Sequence, residues 1–156
     1  MKRNTRNTYL FWIGLSEFFG VLAGLLTRSG MKRFIVQAAQ PSFMPPAILF
    51  PIVWTILYAL VGIGMAQVQL YGRHTKNAIG LFSLQVLFNF SWPFFFFNAG
   101  AYGLALAWLI MLWILVLMMA LEFEKQYSRA GLLQLPYLIW LLFAGLLNLA
   151  VWRLNS

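Results

Sequence analysis

Pro41-Ser42-Phe43-Met44-Pro45-Pro46-Ala47-Ile48-Leu49-Phe50-Pro51-Ile52-Val53-Trp54-Thr55-Ile56-Leu57-Tyr58 is the stretch from which the fold can be read. Pro41, Pro45, Pro46 and Pro51 each lack a backbone donor and bias the residue before them toward extended geometry, so no regular helix is expected until Pro51. Beyond it the chain stays apolar as far as Val68, and Trp54 and Tyr58 stand four apart on one helical face. The pattern predicts a proline-stiffened loop feeding a long buried helix.

The apolar character extends in both directions from there. Of 156 residues, 62% are hydrophobic, 18% aromatic and only 9% charged, which is not the make-up of a soluble domain. A bilayer core of about 30 Å needs about 20 apolar residues per helix. Five segments satisfy this, at about 9–27, 47–70, 78–97, 104–123 and 132–152. The expected fold is all-α, a single five-helix transmembrane domain over 1–156. The 28–46 stretch is too long for a mere connection in so short a chain and is expected to form a lid loop.

The net charge of +8 does not imply nucleic acid, because the basic residues are scattered between apolar segments instead of gathered on one face. They read as topology determinants and interfacial anchors. Lys2, Arg3, Arg6, Arg73, Lys76, Lys125 and Arg129, seven in all, fall on one side of the membrane, against four, Arg28, Lys32, Arg33 and Arg153, on the other. This predicts a cytoplasmic N-terminus. Lys2, Arg3 and Arg6 precede an apolar run as in a secretory leader, yet that run is long and more spans follow, so a retained first helix is expected. The chain has no cysteine, and its one histidine, His74, lies between Arg73 and Lys76 at an expected interface. No metal site is predicted.

Polar residues within the spans are the candidates for function. Glu17 sits mid-span, where an ionised carboxylate is expensive unless partnered, and Gln85 or Asn89 would serve as its hydrogen-bond partner. Gly20 and Gly24 form a small-x3-small pair that would let another backbone approach. In the second span Trp54, Tyr58, Gly62, Met65 and Gln69 share a stripe; in the third, Gln85, Asn89, Trp92 and Phe96 do so; in the fifth, Tyr137, Trp140, Ala144 and Asn148. Each such face mixes aromatic planes with side-chain amides, and Ala144 leaves room beside Trp140 for a flat ligand. The fourth span carries Trp108 and Trp113 without an amide and reads as a packing and lipid-facing helix. No acid, base or nucleophile cluster of ordinary hydrolytic or transfer chemistry is present.

Pro41-Ser42-Phe43-x-Pro45-Pro46 with Phe50-x3-Trp54-x2-Leu57-Tyr58 resembles the signature of the translocator protein family, also called TspO or tryptophan-rich sensory protein. The resemblance continues through Asn89-x2-Trp92-Pro93, Phe96-Phe97, Pro136-Tyr137-Leu138-x-Trp140, Ala144, Leu147-Asn148 and Val151-Trp152-Arg153. It implies a five-helix bundle, usually a homodimer, with a pocket in each protomer capped by the loop after the first helix. The implied ligands are porphyrins such as protoporphyrin IX and haem, with sterols and drug-like molecules in some members; porphyrin is a ligand, and no cofactor is required. Carried over by position, the implied pocket residues are Trp54, Tyr58, Asn89, Trp140 and Ala144, with Pro45 and Pro46 in the lid. Trp92, Phe96 and Asn148 join them from the shared faces. An alternative activity is light-dependent porphyrin breakdown, in which Trp54 and Trp140 would react with the bound porphyrin.

Overall fold

Five helices long and apolar enough to cross a membrane organise the chain, and no strand occurs among the described residues. A computed structural model describes residues 4–156; Lys2 and Arg3, which enter the expected charge bias, lie outside the described residues. Helix α1 is Thr5–Leu26, α2 is Arg28–Gln37 and α3 is Leu49–Tyr71. Helix α4, Lys76–Pro93, continues into a π-helical turn, Phe94–Asn98. Tyr102–Gln126 forms α5, Ser128–Leu132 the short α6 and Leu135–Asn155 α7.

The prolines act as their chemistry dictates. Pro51 falls in the first turn of α3 and Pro136 in the first turn of α7, where a backbone N–H has no intrahelical acceptor to lose. Pro93 ends the α-helical ladder of α4, after which Ala99 N donates to Phe94 O at 2.9 Å in the wider π pattern. Gly100, at φ 62°, then closes the turn into α5.

The expected lid loop over 28–46 is corrected by α2. Thr27 ends α1, with both its backbone N–H and its hydroxyl donating to Ala23 O, and Arg28 starts a new helix at once. Helix forms here because its apolar face has something to pack on. Phe34 meets Phe96, Phe97 and Tyr102 at ring-centroid distances of 5.2, 5.5 and 6.2 Å. Gly30 lets the backbone of Phe97 come close, since a Cβ there would lie 2.6 Å from Phe97 O. Only the proline-containing part, from Ala38 to Ile48, stays non-helical.

The core is concentrated at the end of the bundle that holds the N-terminus. Val61, Met65, Val116, Met119, Phe123 and Tyr137 are buried there almost completely. Helices α1 and α3 make their closest approach at Gly62, where a Cβ would sit 2.6 Å from Ile13 Cα. That contact corrects the role expected of Gly20 and Gly24. Gly20 makes room for the Tyr58 ring, and nothing lies within 4 Å of a Cβ built on Gly24. The fourth span is also more than packing: Trp108 donates its indole N–H to Phe88 O at 3.0 Å and Ser91 Oγ at 2.9 Å, and stacks on Phe88 at 4.3 Å.

Candidate ligand-binding site

At the opposite end the five spans do not meet in the middle. The C-terminal half of α1, the N-terminal half of α3, the end of α4 and the middle of α7 surround a cavity of about 470 Å³, with α2 and the proline segment over it. This volume is in the range of small-molecule sites, which run roughly 300–1,000 Å³.

The floor is a polar relay. Tyr58 OH donates to Asn89 Oδ1 at 3.1 Å, Asn89 Nδ2 donates to Tyr137 OH, and Tyr137 OH donates to Gln85 Oε1 at 3.1 Å. Three helices are thereby joined by one directional chain, and each amide that would be costly in a bilayer interior has a tyrosine to bond. Gln85 lies beneath this floor and outside the cavity lining, whereas Asn89 and Tyr58 contribute to the surface.

The walls are aromatic. Trp54 stacks on Tyr58 at 5.5 Å with the planes 29° apart, and Trp92 stacks on Phe96 at 4.9 Å and 26°. Trp92 Nε1 donates to Asn148 Oδ1 at 3.3 Å, while Asn148 Nδ2 donates to Tyr102 O at 2.8 Å, so the polar atoms of that wall are spent on holding it in place. Trp140 meets Phe50 edge-on at 5.9 Å. Its indole N–H differs from that of Trp92: it is shielded and has no hydrogen-bond partner. A buried donor left without an acceptor costs about 1–3 kcal/mol.

The roof is fastened at its far end. Ala39 N donates to Asn155 Oδ1 at 2.8 Å and Asn155 Nδ2 donates to Ala39 O at 2.9 Å, clasping the lid backbone to the last turn of α7. Within the lid, Met44 N donates to Pro41 O at 3.0 Å, a turn that brings Met44 and Pro45 over the cavity.

Pro45, Trp54, Tyr58, Asn89, Trp92, Phe96, Trp140, Ala144 and Asn148, all expected from the sequence, border this one space. Pro46 does not; it is exposed, and its carbonyl accepts from Leu49 N at the start of α3. Several lining residues were not expected. Met31 and Phe34 reach the cavity from α2, a helix that the reading of 28–46 as loop left out. Glu17, Gly20 and Gly24 line it from α1 at a spacing of three and four, a periodicity legible in the sequence. The partner expected for Glu17 is corrected, because the amides of Gln85 and Asn89 are engaged with tyrosines.

A bundle that spans the membrane and keeps a roofed, indole-walled chamber at one end defines a class of integral membrane proteins built around a small-molecule-sized cavity. A family model described as the TspO/MBR family matches residues 12–153. The chain is 33% identical over 151 residues to "Tryptophan-rich protein TspO" of Chlorobaculum tepidum, covering 95% of this chain and 96% of that one. It is 34% identical to "Protein CrtK" of Rhodobacter capsulatus over 74% of each chain. With "Translocator protein" of Bos taurus it shares 31% identity over 91% of this chain and 86% of that one. The chain belongs to the TspO/MBR family.

Proposed function

We propose that the protein is a membrane-embedded receptor that encloses a flat, amphipathic hydrophobic molecule of the tetrapyrrole class, protoporphyrin IX or haem, and so sequesters it or hands it on. The observation that carries this reading is the 470 Å³ cavity bordered by the Trp54–Tyr58 and Trp92–Phe96 stacked pairs and by Trp140. Stacked pairs supply faces for a planar ring, and the Asn89 amide and Tyr58 hydroxyl at the floor give the cavity a polar end for an amphipathic one. The name of the bovine relative, a translocator, supports a role in movement over one in simple storage.

The test is a titration of tryptophan fluorescence with protoporphyrin IX in neutral detergent micelles. Saturable quenching is expected, weakened at least about fivefold in the double variant that removes the Trp54 and Trp140 rings from the cavity wall. Quenching that fails to saturate, or that is unchanged when Trp54→Ala and Trp140→Ala are combined, contradicts the reading.

A second reading has support of its own, since Trp54 and Trp140 both border the cavity and a bound porphyrin would be their neighbour. In it the illuminated porphyrin takes one electron from an indole, and dissolved oxygen, as the oxidant, then adds to the reduced macrocycle and opens its ring. Faster bleaching in the wild type than in Trp54→Phe or Trp140→Phe at equal occupancy is the expected outcome; equal rates leave binding alone. The N-terminus is assigned to the cytoplasm on the bias that Arg6, Arg73, Lys76, Lys125 and Arg129 give that side. The reading includes a homodimer, and cross-linking in the membrane checks it.

A further inference from the structure

The roof is tied to one end of every span. Helix α2 starts directly after Thr27, which ends the first span; Arg33 Nη2 donates to Asn98 O at 3.4 Å, at the end of the third. Phe34 packs on Tyr102 at the start of the fourth span, Ala39 is clasped to Asn155 at the end of the fifth, and the proline segment runs into Leu49 at the start of the second. A segment so anchored crosses the bundle at the level where hydrocarbon gives way to headgroups.

Its outer surface mixes cations with apolar side chains. Gly30 and Phe34 face the bundle, so Arg28, Lys32 and Val36, at a spacing of four, fall on the opposite side of α2, and all three are exposed. Val36 is 83% exposed, and in the proline segment Phe43 and Ile48 are 53% and 69% exposed. Such a mixture is what an element lying in a membrane interface presents. Charge at this end has one sign. Arg28, Lys32, Arg33 and Arg153 stand there, whereas the chain's three acids are Glu17 midway along α1 and Glu122 and Glu124 at the opposite end, in the last turns of α5. No acidic side chain answers the four cations, so the complementary charge is left to the surroundings.

We propose that the outer face of α2 and the proline segment form a docking surface for anionic phospholipid, with Arg28 and Lys32 meeting headgroup phosphates while Val36, Phe43 and Ile48 enter the acyl boundary. A negatively charged leaflet is then a second fastening of the roof, beside the Asn155 clasp.

The chain has no cysteine, so Val36→Cys gives a single attachment point for a bimane fluorophore at an exposed position. The labelled protein, without porphyrin, is placed in nanodiscs of phosphatidylcholine alone or with about one-third phosphatidylglycerol, and quenched with acrylamide, which is uncharged. Quenching is expected to be at least about threefold slower in the anionic nanodiscs. Arg28→Gln combined with Lys32→Gln is expected to remove most of that ratio, and Lys125→Gln combined with Arg129→Gln, the same loss of charge at the far end, to leave it unchanged. All four positions are exposed, and matched unfolding temperatures certify that the variants are folded. Asn155→Ala is expected to speed quenching at least about twofold in neutral nanodiscs and hardly at all in anionic ones. A wild-type ratio below about 1.5-fold overturns the proposal, as does a far-end pair that lowers the ratio as much as the roof pair, or an Asn155→Ala effect equal in both bilayers. Equal protection from inorganic phosphate in neutral nanodiscs overturns it too, because a soluble anion would then suffice. Each of these failures leaves the ligand reading of the cavity standing.

Discussion

The two ends of this bundle are built from the same five helices and the same kinds of residue, yet one is packed solid and the other is hollow. At the N-terminal end, glycine brings backbones together: Gly62 admits Ile13, and Gly64 would place a Cβ 3.2 Å from Ala130 O. At the lid end, glycine opens space, as Gly24 does. Indoles follow the same division. Trp12, in the solid end, donates to Gln69 Oε1 and packs edge-on against Phe82 at 5.0 Å, whereas Trp140, in the hollow end, has its donor unpaired. The contrast teaches that close packing and cavity space are segregated along the bundle, with the Tyr58–Asn89–Tyr137–Gln85 relay as the boundary.

The sharpest way to break that contrast is to cut into the solid end. Phe123→Ala removes a fully buried ring and is expected to destabilise by about 3 kcal/mol in reversible unfolding from mixed micelles. Loss of less than about 1 kcal/mol would mean that this end is not close-packed. Gly62→Ala comes next, because its Cβ meets backbone, and about 2 kcal/mol is expected from the forced separation of α1 and α3. Gly24→Ala is its counterpart in the hollow end and is expected to be neutral or to stabilise by up to about 1 kcal/mol through helix propensity. Equal penalties for the two glycines would erase the distinction. Asn89→Leu tests the boundary; it strands the Tyr58 hydroxyl, removes the donor to Tyr137 OH, which keeps Gln85 as acceptor, and is expected to cost about 1 kcal/mol.

The smallest effect is expected at the roof. Asn155→Ala removes both hydrogen bonds to Ala39 at an exposed position. Global stability should hardly change, but backbone amides from Ala38 to Met44 should exchange faster with solvent. Unchanged exchange there would show that the Phe34 aromatic contacts alone secure the lid.

Much of this division was legible in the sequence, though unevenly. The spans were, because about 20 apolar residues between basic clusters have few other uses, and with the π-helical turn counted in α4 the helix limits depart from the expected ones by one to four residues. The aromatic-amide faces of α3, α4 and α7 were also legible, since helical spacing fixes which residues share a side. What periodicity does not reveal is the partner. It left Gln85 and Asn89 free to serve Glu17, when Tyr58 and Tyr137 from two other helices claim them. It gave α5 its packing and lipid-facing role without revealing that the indole of Trp108 finds Phe88 O, part of a neighbouring helix. Helix α2 escaped for the same reason. Arg28-Ser29-Gly30-Met31-Lys32-Arg33 has little helical signal alone, and it is the aromatic surface around Phe96 and Phe97 that makes the helix worth forming.

The hollow end is either a chamber for a ligand or a loosely packed end of a bundle, and one titration separates these most directly. Ala144 lies on the cavity wall beside Trp140, so Ala144→Phe fills space that a flat ring would occupy. Protoporphyrin IX dimethyl ester is titrated into wild type and Ala144→Phe of matched unfolding temperature, with tryptophan quenching as readout. Saturable quenching in the wild type and its loss in Ala144→Phe is the result the cavity requires; equal saturable quenching in both proteins would mean that the porphyrin sits elsewhere and that the chamber is not its site.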